Sequence, residues 1–187
     1  MAESAVDEAL TLKPAVVPRV ASWRWKAAIV LLALVIAPLA MATHEAMHLV
    51  AYHAFGYQAV MLVTPWKLGA AGLQVFGFHV APAGKPPALI HIADNFLGPA
   101  ISALLLVPLW RAARPSALGE ALLANILILC FFSTIETAYA ILERAEHVDA
   151  DVLLLPELNY GVCVVIVLAI AALAPVRRVR EVVRCRE

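Results

Sequence analysis

The residues best equipped for chemistry in this chain are Thr43-His44-Glu45-Ala46-Met47-His48. Two imidazoles four residues apart on a helix share a face, about 6 Å from each other, so His44 and His48 can aim ring nitrogens at one Zn²⁺. Glu45 falls beside that face and can take a proton from a water on the ion. Neutral imidazole suits zinc, and a carboxylate near a cation makes a suitable base. The plainer reading is two helix-end histidines snorkelling to an interface. The metal reading is preferred here.

A catalytic zinc usually takes three protein ligands and keeps a fourth position for water. The third ligand is expected to be Asp, Glu or His from another segment. Asp149 and Asp151 head the last apolar span at a suitable depth, and Glu136 and Asp94 compete with them. Glu136 should sit well inside the bilayer, where an ionised acid is costly unless paired or bound to metal. Asp94 and Asn95 are polar at membrane depth and so are candidates by default. Position and depth favour the aspartates at 149 and 151 without choosing between them. His53 and His79 read as hydrogen-bonded scaffold.

The elements that must position these residues follow from composition. Of 187 residues, 63% are hydrophobic, and the mean hydropathy is +0.86. A soluble domain of this size is closer to half apolar and more highly charged. Lys and Arg number 14, as do Asp and Glu, so no charge excess points to nucleic acid. Cys130 and Cys163 lie in apolar runs and Cys185 in a basic end, without the spacing of a metal knuckle or a disulfide framework. The expectation is an all-α membrane protein of about four transmembrane helices, with the lipid bilayer as its surroundings.

Along the chain, residues 1–22 read as a flexible cytoplasmic tail, 23–176 as the membrane-embedded unit and 177–187 as a basic cytoplasmic tail. Trp23-Arg24-Trp25-Lys26 form an interfacial belt. A first helix runs from Ala27 through the histidines to about Phe55, with a kink expected at Pro38 and a stop at Gly56. A signal peptide ending at Ala40-Met41-Ala42 is the rival reading, but its lead is long and cleavage would leave the motif at a frayed terminus. Four glycines punctuate 57–85, which predicts a short hairpin or re-entrant segment between the first two helices. Further spans fall at about 88–110, 117–142 and 152–174, the first of them broken at Gly98-Pro99. With both termini inside, eleven of the fourteen Lys and Arg lie on the cytoplasmic side. The motif, Asp94, Asp149 and Asp151 then share the non-cytoplasmic half. A bacterial cytoplasmic membrane is the expected location.

His44-Glu45-Ala46-Met47-His48 at the end of a membrane helix resembles the site-2 protease group of intramembrane zinc metallopeptidases, the M50 class. Leu97-Gly98-Pro99-Ala100 in the next span is similar to that group's Gly-Pro element. Val148-Asp149-Ala150-Asp151-Val152-Leu153 is similar to the Ser-Asp-Ala-x-x-Leu element of the M50B-like branch. The resemblance implies a zinc-dependent endopeptidase acting on a membrane-anchored protein substrate, with Glu45 as general acid/base and Asp149 as third ligand. The alternative is a metal-binding membrane protein without hydrolysis, a transporter or sensor whose intramembrane His, Asp and Glu form an ion path.

Overall fold

The computed structural model describes residues 22–64, 67–69, 72–74, 77–143 and 150–174. Four α-helices dominate: α1 (Trp23–Ala54), α2 (Ala88–Ala113), α3 (Ala117–Leu142) and α4 (Pro156–Leu173). Helices α1, α2 and α3 are long and apolar enough to cross a membrane. The 18 residues of α4 reach ~27 Å, just short of a ~30 Å hydrocarbon core. Its start is later than expected because Pro156 takes the first helical turn, where a missing N–H costs nothing, and residues 150–154 form a 3₁₀ turn before it. Leu31, Leu34, Val35 and Leu39 of α1 are each more than 60% exposed, an outward apolar row suited to lipid. The two expected tails lie outside the described residues.

Small side chains decide how the helices meet. Ala33 of α1, Ala121 and Ala124 of α3 and Val167 of α4 form one buried cluster; Ala40, Ala103, Ile126 and Leu129 join α1, α2 and α3 in another. In an apolar solvent, helices gain little from hiding apolar surface, so close backbone approach at alanines supplies the attraction through dispersion. Asn125 then donates through Nδ2 to Ala33 O (3.3 Å) and to Ala121 O (3.0 Å). One interhelical hydrogen bond of this kind contributes about 1 kcal/mol, so it selects a register rather than holding the bundle together.

The expected hairpin is present. Strand β1 (Ala59–Thr64) pairs antiparallel with β4 (Gly77–Pro82), Met61 opposite Val80; between them β2 (Lys67–Gly69) pairs with β3 (Gly72–Gln74). Tyr52, Ala59 and Val80 pack together with Leu49, Met61 and Ile90, seating the hairpin on the end of α1.

Helix α1 ends where expected. Gly56 sits at φ +81°, Gly56 N–H donates to His53 O and Tyr57 N–H to Tyr52 O, the paired closure of a Schellman cap. Helix α1 is continuous through Pro38, where a kink was expected, and the break expected at Gly98-Pro99 does not occur: α2 continues through Gly98, Pro99 and Pro108. Each proline removes only one helical hydrogen bond, and packing inside a bundle sustains the turns on both sides.

Gly56→Ala is expected to destabilise the protein by about 1 kcal/mol, since a Cβ is strained at that φ. Gly161→Ala, at a helical position where an added Cβ meets open space, is expected not to destabilise. Unfolding midpoints of the two variants in one detergent check the contrast.

Candidate metal centre

His44 lies ten residues before the end of α1 and is fully buried, and His48, one turn further on, is 7% exposed. Their rings face each other with centroids 4.6 Å apart, and the two Nε2 atoms are separated by 2.7 Å. Helix α3 brings Glu136 to the same point: its Oε2 is 3.2 Å from His44 Nε2 and 3.3 Å from His48 Nε2.

The arrival of Glu136 follows from helix geometry. Ala33 and Asn125 are 92 positions apart, and so are His44 and Glu136. The second contact therefore lies eleven residues beyond the first on both helices, close to the ~10.8 residues of three turns. Two helices running the same way, in register at Asn125, meet again on the same faces at Glu136. The alanine contacts and the Asn125 hydrogen bond thus place the carboxylate against the imidazoles.

The donor set fits a metal ion. Three ligands of a tetrahedral zinc with bonds of about 2.0–2.1 Å lie about 3.3 Å from one another; the two Glu136 distances match, and the two histidines need to part by roughly half an ångström. Charge leads the same way. Asp94 Oδ2 is 2.9 Å from His48 Nδ1, which directs the proton of a neutral ring to Nδ1 and leaves a lone pair on Nε2. That lone pair, the nitrogen of His44 and a carboxylate oxygen then crowd together in a buried place. A proton, carried on a ring nitrogen or shared, or a cation has to lie among them. His44, His48 and Glu136 each offer one atom, all mutually within reach of a single ion.

Glu45 points to the same cavity from its other side. Its Oε2 accepts the backbone N–H of Val80 at 3.0 Å, so the edge of β4 turned away from β1 holds the carboxylate. A cavity of about 450 Å³ includes Glu45, His48, Asp94 and Glu136 in its lining. Asn95 lines it too, but its amide donates to His91 O (2.8 Å) within α2 and does not join the donor set. His79 borders the cavity as well, whereas His53 is exposed at the helix end.

Of the residues singled out from sequence, His44, His48, Glu136, Glu45 and Asp94 are thus assembled at one place. Asp149 lies outside the described residues, as does the side chain of Asp151. Sequence reasoning passed over His91 and Tyr52. The Tyr52 hydroxyl lies 3.4 Å from His91 Nδ1, and His91 Nε2 lies 3.5 Å from Glu143 Oε2. The spacing of His91, Asp94 and Asn95 at i, i+3 and i+4 was the available signal, since it sets all three along one side of α2.

Zinc analysis of detergent-purified protein is expected to find about one ion per chain in the wild type and almost none in His44→Ala. Glu136→Ala should lose most of its zinc and Asp149→Ala retain it; the reverse pattern would return the third position to Asp149. No protein-family model, curated protein or solved structure gives a significant match to this chain.

Proposed function

We propose that this chain is a zinc-dependent intramembrane endopeptidase, hydrolysing peptide bonds in or near the membrane. The observation that carries the reading is the meeting of three metal-type donors from two apolar helices beside a glutamate held by a strand edge. A zinc peptidase needs an ion site, a carboxylate beside it and room for a peptide, and the three donors, Glu45 and the cavity beside them are the counterparts here.

When bound, zinc supplies Lewis acidity, activating water and polarising a carbonyl. His44, His48 and Glu136 are the residues that would hold it. Glu45 has one oxygen engaged by Val80 N–H, which fixes its orientation; the other is available to take a proton from water and return it to the leaving amine. A substrate helix must unwind first, because its carbonyls are already hydrogen-bonded and shielded. The hairpin holds Glu45 through Val80 and lines the same cavity, which is where an extended peptide would lie against it. An apolar cavity of about 490 Å³ between α1, α3 and α4 reaches Phe132, whose ring centroid is 6.0 Å from that of His44, and suits the apolar flank of such a substrate.

A second reading, a metal transporter or sensor, draws on a different observation. Polar groups continue from His48 and Asp94 past Tyr52 and His91 to Glu143, which is 44% exposed. A graded series of this kind is what an ion path needs.

Glu45→Gln separates the two. In proteoliposomes carrying single-span model substrates, the variant is expected to lose cleavage by at least ~10²-fold while keeping its zinc. Cleavage that survives Glu45→Gln, or wild-type protein that moves zinc across the vesicle membrane without cutting any substrate, counts against the peptidase. Val80→Pro removes the amide that holds Glu45 and is expected to lower cleavage, again with zinc retained.

A further inference from the structure

His48 is gripped from two directions by one helix, and neither contact is explained by packing alone. At the ring's edge, Asp94 Oδ2 meets Nδ1 at 2.9 Å, and Asp94 is only 2% exposed. At its face stands Gly98. A Cβ built there would lie 2.7 Å from His48 Cε1 and 2.8 Å from both Nδ1 and Nε2, distances that real Cβ atoms essentially never show. Gly98 has an ordinary helical backbone, so the residue is required by close approach and not by conformation. Asp94 and Gly98 are four residues apart on α2 and therefore present the same face, one turn after the other.

We propose that this face of α2 is a built seat for His48, with Asp94 as a positioning residue for the metal centre and Gly98 setting the depth of the ring. The inference rests on the metal reading above and adds a determinant of affinity that touches no substrate. Asp94 accepts the Nδ1 proton and so presents the Nε2 lone pair toward His44 and Glu136. Gly98 lets the imidazole lie flat against the α2 backbone, so that the ring cannot rotate away. A buried carboxylate behind a ligating imidazole fixes its tautomer and raises its basicity. His44 is held differently: its Nδ1 is buried with no hydrogen-bond partner among the described residues, and Phe132 lies near its ring. Pre-organisation of the centre accordingly falls on His48.

The test uses full-length protein in detergent, with Zn²⁺ as the only ligand. Affinity is read by chelator competition, and ligand geometry by the visible spectrum of the Co²⁺-loaded form. Asp94→Ala is expected to weaken zinc binding about 10–100-fold. Asp94→Asn, which keeps an acceptor and loses the charge, should weaken it less, and Gly98→Ala should weaken it and alter the Co²⁺ spectrum. Ile29→Ala, a fully buried position in the α1–α4 contact far from the ring, provides the comparison: it should lower the unfolding midpoint and bind zinc as the wild type does. Wild-type affinity in Asp94→Ala overturns the proposal. So does a loss in Asp94→Ala that Ile29→Ala reproduces, since affinity would then follow general destabilisation. If Asp94→Ala does not fold, Asp94→Asn and Gly98→Ala decide on the same criteria. A wild type that binds no zinc removes the metal reading itself, whereas zinc-binding wild type with an indifferent Asp94 removes only the seat.

Discussion

Three electronegative atoms brought within 3.3 Å of one another in a buried place cannot remain there without a proton or a cation among them. Lone pairs on two imidazoles and a carboxylate repel, and the low dielectric of a helix bundle screens that repulsion far less than water does. This requirement gives the architecture around α1 its meaning. The same three atoms exposed to solvent would indicate little. Buried, they call for a cation or a shared proton, and the match to tetrahedral ligand spacing favours the cation.

The scaffold that enforces this crowding is built from modest contacts. Alanines at positions 33, 40, 103, 121 and 124 let three helices approach closely, and Asn125 chooses the register in which they do so. Three turns further on, that register delivers Glu136 to His44. A slide of one residue between α1 and α3 would turn Glu136 by about 100° off the imidazoles. The hairpin adds one further contact: the outward amide of Val80 holds Glu45, so that carboxylate depends on a strand edge instead of a helix neighbour. Rigid helices position the metal-type donors, and a backbone amide positions the carboxylate beside them.

Gly98 and Pro99 show how the same two residues serve differently from what their types suggest in isolation. In a lone helix Gly-Pro is a break, because it combines backbone freedom with a missing donor. Within the bundle α2 continues through both, and Ser102 donates to Gly98 O at 2.9 Å. The absent Cβ serves to admit a neighbouring ring. Local propensity was outweighed by packing, and the residue that looked like punctuation is a contact surface.

Much of this protein could be read in one dimension, for reasons that are themselves one-dimensional. Hydropathy over twenty-residue windows marks α1, α2 and α3 because each segment has to satisfy its own backbone in an apolar solvent. The third span was located at 117–142 and the helix occupies those residues; glycine spacing between 57 and 85 marked the hairpin. His44 and His48 were legible because an i, i+4 pair on a helix is neighbours by local geometry alone. Glu136 and Asp94 were legible as candidates, but the choice among the acids was not. Glu136 and Asp94 come from helices 92 and 46 positions away, and which acid reaches an imidazole depends on how two helices slide and rotate against each other. That is settled by small differences among many alanine contacts and one hydrogen bond, terms that exist only once the chain is folded. The sequence by itself therefore determined the helices and half of the site, and tertiary packing chose the other half.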